Sequence, residues 1–324
     1  MQTNDLKYTW RSKQRLPVQK RNFTCMQSHT IASIDTMGRV FVCMDCWVPW
    51  PVAELRKLDS IDSIWQQPNS KRIQRSTNRG NFKFCDIASC GIHKDVPVKP
   101  RQLHIGIDDS CNLRCPSCRE HLIFHNAGTQ YEHKLKLVYQ LSSLLERHNQ
   151  QLRLIIGSNG DAFASSIYQQ FYRIYNCNPL HEFELRTNGL MVRSIDNIDI
   201  FQQVKQLHVS IDAGTEKTYE LVRLGGRWNK LIDSLNYIQQ LDVPTRLLLT
   251  VQRSNLYDLP QFADLCEHYG FEGWVNILQD WGTWPNYEHH RVHTVQDKLY
   301  NDYSELRENL KDRINFEDLK LVTA

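Results

Sequence analysis

Residues 102–118 read QLHIGIDDSCNLRCPSC. The stretch begins with a short aliphatic and β-branched run, QLHIGI at 102–107, which predicts a buried β-strand. Three cysteines follow on one polar loop, Cys111, Cys115 and Cys118, in the spacing C-x3-C-x2-C. The stretch therefore predicts a metal-binding loop at the carboxyl end of a strand.

The pattern of a short apolar run, a polar turn and a helical segment repeats along the chain. The further strand runs are LRLIIG (152–157), FELRT (183–187), QLHVSI (206–211), RLLLTV (246–251) and GWVNIL (273–278). Helical periodicity follows in HKLKLVYQLSSLLERH (133–148), SSIYQQFYRIY (165–175), EKTYELVRL (216–224) and WNKLIDSLNYIQQL (228–241). Such alternation predicts an α/β fold of parallel strands and crossover helices, with ligands bound beyond the carboxyl ends of the strands.

Composition narrows the class of protein. A chain of 324 residues can bury one large core beside a small appended module. With 39 basic and 36 acidic residues, a net charge of +3 gives no strong argument for a nucleic-acid or membrane partner. No signal peptide and no membrane-length apolar run occurs, so we expect a soluble cytoplasmic protein. Eight of the ten cysteines fall between Cys25 and Cys118, and in such a chain clustered cysteines indicate metal rather than disulfides.

The C-x3-C-x2-C loop has a specific chemical meaning. Three thiolates can hold three irons of a cubane cluster and leave the fourth iron open, whereas a closed cluster uses four cysteines. An open iron can chelate the amino and carboxylate groups of a methionine-like ligand. The alternative is a zinc loop, which normally shows paired C-x2-C units or histidines that complete four ligands.

This spacing, directly after a first strand, resembles the radical S-adenosylmethionine (SAM) superfamily in the branch of MoaA, NifB and PqqE. The resemblance implies a partial (β/α)6 TIM-type barrel over 100–294 and a catalytic [4Fe-4S] cluster on Cys111, Cys115 and Cys118. It implies reductive cleavage of SAM to a 5′-deoxyadenosyl radical, which abstracts hydrogen from a substrate. An electron donor such as flavodoxin or ferredoxin is implied as well. Ser117 departs from the aromatic residue that members often carry before the third cysteine.

The same resemblance assigns SAM-binding roles to residues after the later strands. The segment at 157–161 is expected to line the SAM amino group, with Asp161 facing its ammonium, while Ser210 is expected at the ribose or carboxylate and Arg223 at the carboxylate. The full set is Gly157, Ser158, Asn159, Gly160, Asp161, Asn188, Ser210, Asp212, Arg223 and Gln252. The alternatives are an ordinary turn for GSNGD and a solvated helix charge for Arg223.

Residues 1–99 read differently from the rest of the chain. They contain a hairpin-like stretch, TIASIDTMGRVFVC at 30–43, and a helical stretch at 60–76. So short a region would struggle to build a core unaided, which predicts a small metal-stapled module that ends near VPVKP at 96–100.

The cysteine pattern of this region resembles SPASM or Twitch modules, which hold auxiliary iron-sulfur clusters. The resemblance implies a second cluster, of the [4Fe-4S] type, on Cys25, Cys43, Cys85 and Cys90. In most members the module follows the barrel, whereas here it precedes it. Cys46 is then a spare thiol, an alternative ligand or a thiol near the substrate, and four thiolates would also suit zinc.

The remaining features lie near the C-terminus. EHHRVH at 288–293 holds three histidines without a completing carboxylate set, which favours a surface or pocket-lining role. Trp281 and Trp284 follow the sixth strand, where they would stack on a sugar, a base or a peptide side chain, or form a core lid. Residues 295–324 are charged and helical in pattern, which predicts a closing helix.

The function stays open between three hypotheses. No separate leader-peptide-binding domain is visible before residue 25. This favours a small molecule of the sugar or nucleotide-sugar type, changed by oxidation, epimerisation or rearrangement, or else a short exposed peptide. The second hypothesis is a ribosomally made peptide. The third is a non-catalytic iron-sulfur or zinc protein that binds a partner.

Overall fold

The structure is a computed structural model that describes residues 23–86, 90, 100–194 and 198–317. The chain divides into two compact units. Unit 1 comprises Met1–Asp109, His125–Asn159 and Gln170–Phe183. Unit 2 comprises Ser110–Phe124, Gly160–Gln169 and Glu184–Ala324.

Unit 1 is built on five strands in the spatial order β5-β4-β1-β2-β3. The strands are β1 (Ile31–Ile34), β2 (Arg39–Val42), β3 (Ala53–Glu54), β4 (Arg101–Ile105) and β5 (Leu152–Ile156). The pairs β1·β4 and β4·β5 are parallel, whereas β1·β2 and β2·β3 are antiparallel. Its helices are α1 (Gln27–Thr30), α2 (Ser63–Gln66), α3 (Pro68–Asn78) and α4 (Gly128–Glu146).

The predicted hairpin is the β1·β2 pair. Its turn contains Gly38 at φ +74°, a left-handed conformation that a residue without Cβ adopts at little cost. The Asp35 carboxylate closes the turn by accepting hydrogen bonds from the backbone nitrogens of Met37 (3.0 Å) and Arg39 (2.8 Å). The hairpin joins β4 through β1, so it extends the parallel sheet of unit 1.

The helical stretch predicted at 60–76 forms two helices instead of one. Pro68 begins α3, and the preceding Gln67 has an extended backbone (φ −53°, ψ 144°). A proline suits the first helical position, but its ring disfavours helical geometry in the residue before it.

Unit 2 continues the alternation. Two elements cross the boundary between the units along the chain, α5 (Ser166–Ile174) and β6 (His181–Thr187). The other strands are β7 (Val204–Ser210), β8 (Thr245–Val251), β9 (Glu272–Ile277) and β10 (Asn315–Phe316), in the order β10-β9-β8-β7-β6. The pairs β7·β8, β8·β9 and β9·β10 are parallel. The helices are α6 (Glu216–Val222), α7 (Trp228–Gln240), α8 (Leu259–Tyr269), α9 (Tyr287–His290) and α10 (Tyr300–Leu310).

The core of unit 2 follows from the period of its strands. On β8, Thr245, Leu247, Leu249 and Val251 are buried while the residues between them are only half-buried. The helices contribute complementary apolar faces, as Leu231, Leu235 and Ile238 do on α7.

The predicted α/β class with parallel strands is confirmed. The six strands predicted for the partial (β/α)6 barrel occur as β4 to β9. Within the predicted C-terminal segment the chain forms α10 and then adds β10 beside β9, while the closing role of the helix stays a prediction. Most of the proposed boundary at 96–100 lies outside the described residues, so the division at residue 99 stays a prediction. Within the described residues, no helix is both long and apolar enough to cross a membrane.

Candidate active site

The three cysteines of C-x3-C-x2-C share one loop of unit 2. The loop is closed by a bridge in which the Cys111 nitrogen donates to the Ile123 carbonyl over 2.9 Å. A tight turn follows, because the nitrogens of Cys118 and Arg119 both donate to the Cys115 carbonyl (2.9 and 3.1 Å). Cys115 is buried, Cys111 is half-buried and Cys118 is exposed.

Each of the three cysteine side chains contacts one nitrogen donor from a different side chain. Asn188 Nδ2 donates to Cys111 Sγ over 3.7 Å, and Arg223 Nη1 donates to Cys115 Sγ over 3.5 Å. The Arg119 side chain forms a hydrogen bond with Cys118. Anionic sulfurs that ligate iron are stabilised by such donors, so the chemistry of this set fits an iron-sulfur cluster.

Burial raises the pKa of two of these thiols. Desolvation, together with the nearby Asp161 carboxylate, raises the pKa of Cys111 to about 11. Burial raises the pKa of Cys115 as well, although the Arg223 charge opposes the increase. The two thiols are therefore neutral at pH 7 in the protein alone, and binding of iron would displace their protons.

Asp161 links the loop after β5 to the end of β6. The carboxylate accepts four hydrogen bonds, from the nitrogens of Phe163 and Ala164 (both 2.9 Å), from Thr187 Oγ1 (2.9 Å) and from the Asn188 nitrogen (2.7 Å). Asp161 is 2% exposed. Its four acceptor positions are thus committed to the protein, and its predicted role at the SAM ammonium stays a prediction.

The same network positions Asn188. Its side chain bridges two residues of the cysteine loop, because Nδ2 also donates to Asn112 Oδ1 over 2.7 Å. The Asp161 nitrogen donates to the Ser110 carbonyl over 2.9 Å. The start of the cysteine loop is therefore fixed by residues after β5 and β6.

Asp212 and Arg223 form a buried ion pair after β7. Arg223 Nη2 lies 2.8 Å from Asp212 Oδ2, and the side chains are 12% and 4% exposed. The other carboxylate oxygen accepts from the Thr250 nitrogen of β8 over 2.7 Å. Asn255 Nδ2 donates to the Asp212 carbonyl (2.8 Å), and the Gln252 nitrogen donates to Asn255 Oδ1 (2.8 Å).

Unit 2 thus brings two networks to the cysteine loop. Asp161 binds Asn188, which contacts Cys111, whereas Asp212 pairs with Arg223, which contacts Cys115. Gln252 joins the second network through its backbone, and Ser210 is the last residue of β7. The networks lie at the carboxyl ends of β6, β7 and β8, as the alternation predicts.

The other part of the predicted glycine-rich segment belongs to unit 1. Gly157 has φ +92°, and Asn159 Nδ2 donates to the Gly106 carbonyl over 3.2 Å. Ser158 Oγ is buried and has no hydrogen-bond partner among the described residues. Gly106 has no room for a side chain, because a Cβ there would lie 2.5 Å from Asn159 Nδ2 and 2.8 Å from the Ile34 carbonyl.

The four cysteines predicted for an auxiliary site line one cavity of unit 1. Its walls also include Phe23, Trp47, Val48 and Phe82. Burial raises the pKa of Cys43 well above the usual value, and Cys90, Cys25 and Cys85 add electrostatic repulsion. Cys43 has a left-handed backbone at φ +69°. The exposed Cys46 is not part of the lining.

Sequence reasoning missed one polar cluster of unit 1. Asp108, Asp109 and His125 place ligand-type atoms within 4.8 Å of one another at the base of the cysteine loop. Lys134 on α4 is 2% exposed, and its ammonium lies 3.1 Å from Asp109 and 3.5 Å from Asp108. It also donates to the Ile107 carbonyl over 2.8 Å. The cluster therefore contains its own cation, and the helical pattern around Lys134 gave no signal of it.

The histidines of EHHRVH do not form a metal-type group. Asp108, Asp109 and His125 are the only such group among the described residues. His290 instead stacks on Trp284 with the ring centroids 4.1 Å apart. Burial lowers the pKa of His293 to about 4. Trp281 is 64% exposed.

Solved structures with a related arrangement have low sequence identity to this chain. SuiB of Streptococcus suis bound to S-adenosylmethionine is 16% identical with a TM-score of 0.47, over 69% of this chain and 49% of that chain. Native anSMEcpe with bound AdoMet is 16% identical with a TM-score of 0.46, over 67% and 63%. SuiB bound to its precursor peptide SuiA is 15% identical with a TM-score of 0.49, over 85% and 58%. The match thus spans about half to just under two thirds of those chains.

No curated protein matches the chain. A family model does: that of the Radical SAM superfamily matches residues 107–266. The matched residues begin at the end of the first predicted barrel strand and include the cysteine loop and the networks of Asp161 and Asp212. Residues 107–266, just under half of the chain, are therefore similar to the radical SAM superfamily.

Proposed function

We propose that Cys111, Cys115 and Cys118 hold a [4Fe-4S] cluster through three of its irons and that the fourth iron binds SAM. The observation that carries the proposal is the arrangement of the loop, in which each of three neighbouring cysteines has its own nitrogen donor. Three thiolates leave one iron without a protein ligand, which SAM can chelate.

The ligand set of the loop favours a cluster over zinc. A structural zinc site is normally completed by four protein ligands, such as paired C-x2-C units or histidines. The loop instead supplies three thiols in the spacing C-x3-C-x2-C.

The residues of unit 2 would hold and orient the two cofactors. Asn188, Arg223 and Arg119 stabilise the cysteine sulfurs, while Asp161 and Asp212 fix Asn188 and Arg223. When bound, the cluster supplies one electron to the sulfonium of SAM, which yields methionine and the radical that takes a hydrogen atom from the substrate. The proposed SAM contacts remain Gly157, Ser158, Asn159, Gly160, Asp161, Asn188, Ser210, Asp212, Arg223 and Gln252. Flavodoxin or ferredoxin is the proposed class of electron donor.

The proposed substrate is a small molecule of the sugar or nucleotide-sugar type. Trp281 supports it, because this exposed indole follows β9, and strand-end loops carry ligand sites in α/β folds. An aromatic face stacks readily on a sugar or base ring. A ribosomally made peptide is the second candidate, and oxidation, epimerisation and rearrangement are the proposed outcomes.

We further propose an auxiliary iron-sulfur cluster of the SPASM or Twitch type on Cys25, Cys43, Cys85 and Cys90. The support is the shared cavity, in which the four thiols meet among aromatic and aliphatic side chains. Such a cluster would accept the electron that a net oxidation of the substrate releases.

The test is deoxyadenosine formation. Protein reconstituted anaerobically with iron and sulfide is reduced with dithionite in the presence of SAM, and 5′-deoxyadenosine and methionine are measured by mass spectrometry. We expect the wild type and a Cys177→Ala control to form both products and Cys115→Ala to form neither. Wild-type protein that binds iron but forms no deoxyadenosine contradicts the radical proposal and supports a non-catalytic iron-sulfur protein.

The substrate class is tested by deuterium transfer. Candidate nucleotide-sugars and peptides, each deuterated on carbon, are supplied in separate reactions. Deuterium in deoxyadenosine identifies the class that donates the hydrogen atom. Transfer from a peptide but from no sugar contradicts the small-molecule proposal.

A further inference from the structure

Arg223 contacts the cysteine loop directly. The residue is the C-cap directly after α6, and its two terminal nitrogens contact different partners. Nη1 donates to Cys115 Sγ over 3.5 Å, while Nη2 pairs with Asp212 Oδ2 over 2.8 Å. The guanidinium therefore lies between a carboxylate and a sulfur that the proposed function assigns to iron.

Backbone contacts hold the arginine in this place. The Arg114 nitrogen of the cysteine loop donates to the Leu224 carbonyl over 3.0 Å, directly after Arg223. On the other side, the Thr250 nitrogen holds the Asp212 carboxylate. Asp212 itself has a left-handed backbone at φ +55°, an unusual conformation for a residue that is not glycine. Both ends of the ion pair are thus fixed by the fold.

The surroundings of Arg223 keep its guanidinium charged and strengthen its electrostatic effect on neighbouring groups. Burial disfavours the charged form, yet Asp212 and Cys115 raise the pKa of Arg223 above its usual value, so the guanidinium stays charged. Tyr219 on α6 is 0% exposed, and its hydroxyl has no hydrogen-bond partner among the described residues. A charge acts more strongly on a neighbour in such a dry environment than in water.

We propose that Arg223 raises the reduction potential of the catalytic cluster and that Asp212 sets the size of this effect by opposing the arginine charge. The inference rests on the proposed cluster at Cys111, Cys115 and Cys118. Reduction adds a negative charge to the cluster, which a nearby cation and a hydrogen bond to sulfur stabilise. The Asp212 carboxylate has the opposite influence because it repels that charge.

Two substitutions should shift the potential in opposite directions. Arg223→Gln removes the cation, and we expect the reduction equilibrium constant to fall at least tenfold, which is 59 mV for one electron. Asp212→Asn keeps the shape of the side chain and removes the opposing charge, so the potential should rise. The control is Arg227→Gln, because this guanidinium is 72% exposed and pairs with Glu220; it should change the constant less than threefold.

The measurement is a redox titration of the reconstituted protein, followed by electron paramagnetic resonance without SAM. The signal that changes when SAM is added afterwards identifies the catalytic cluster. Affinity for SAM is measured separately by equilibrium dialysis of the oxidised protein. A merely structural role would weaken the site in both variants and would not give shifts of opposite sign.

The results separate the two proposals. Shifts of opposite sign support the inference, whereas an unchanged potential in both variants, or shifts of the same sign, overturns it. A large loss of SAM affinity in Arg223→Gln with an unchanged potential assigns the arginine to SAM and also overturns it. If Arg223→Gln fails to assemble the cluster, the sign of the Asp212→Asn shift decides. Wild-type protein without a cluster on the three cysteines contradicts the proposed function instead.

Discussion

The backbone nitrogen of Asn188 lies 2.7 Å from Asp161 Oδ2, and this bond joins the loop after β5 to the end of β6. The buried carboxylate accepts three further hydrogen bonds, and Asn188 in turn donates to Cys111 and Asn112. One carboxylate thus fixes a residue that contacts the cysteine loop.

Asp161→Asn should destabilise the protein even without cofactors. The amide replaces one acceptor oxygen by a donor that faces other donors, and a lost buried bond to a charged group costs about 1.5–3 kcal/mol. We expect the urea midpoint of the protein without iron to fall clearly. Asp264→Asn, which changes a 68% exposed side chain, is the control and should leave the midpoint nearly unchanged. An unaltered midpoint for Asp161→Asn would show that the four bonds contribute little.

Cys85→Ala and Cys46→Ala should differ in iron content. Cys85 lines the cavity of four thiols, whereas Cys46 is exposed outside it. After reconstitution, Cys85→Ala should lose about four irons, those of one cubane cluster, and Cys46→Ala should lose none. Iron and sulfide analysis measures both. Equal losses in the two variants would make Cys46 a ligand and contradict the proposed set.

Gly214→Ala should destabilise the protein more than Gly270→Ala. A Cβ at Gly214 would lie 2.2 Å from the Phe262 nitrogen and 2.5 Å from the Gln261 carbonyl carbon, so the start of α8 would have to move. Gly270, at φ +70° after α8, has nothing within 4 Å of such a Cβ. We expect a loss of about 3 kcal/mol for Gly214→Ala. For Gly270→Ala we expect about 1 kcal/mol, from backbone conformation alone. Urea denaturation gives the ranking, and the reverse order would contradict the packing at Gly214.

Stability should fall in mild acid because of buried histidines. His181 is 1% exposed, and burial lowers its pKa from 6.5 to about 4, with a smaller effect from His148. The unfolded chain therefore takes up this proton at a higher pH than the folded protein. The contribution of neutral His181 is complete above about pH 6.5 and is lost as the pH falls towards 4.

His181→Gln should flatten this pH dependence. The measurement is the urea midpoint at several pH values between 7 and 4. The control is His121→Gln, whose side chain is 85% exposed and should leave the slope unchanged. Equal slopes for the wild type and His181→Gln would assign the acid sensitivity to other groups.

Much of the fold follows from local pattern. The apolar runs that predict six strands occur as β4 to β9. Short β-branched segments that alternate with helices bury both of their faces in a parallel sheet that the helices cover. The hairpin of β1 and β2 was predictable as well, since Gly38 allows its turn. By contrast, β10 is two residues long, Asn315 and Phe316, and so short a segment has no periodicity to detect. Its place beside β9 depends on tertiary packing.

The site was less predictable than the fold. The cysteine spacing is a local signal, and the four N-terminal thiols that line one cavity were selected by a family pattern. The partners of Asp161 and Arg223 are 26 and 108 residues away in sequence, at Thr187 and Cys115. No local pattern encodes such contacts. The hydrogen bond between Arg119 and Cys118 joins adjacent residues, but it depends on the conformation of the arginine side chain, which the sequence pattern does not specify.

The base of the cysteine loop has a consequence for how such a protein can change. His125 Nε2 lies 2.9 Å from Asp109 Oδ1, so the chain returns to the point from which it left the end of β4. Everything between these two residues forms an insert whose ends meet. The two ends of the insert are thus held together by a contact that involves none of the three cysteines. Replacement of the cysteines would leave this contact in place, so the closure of the loop and its proposed metal binding are separable properties.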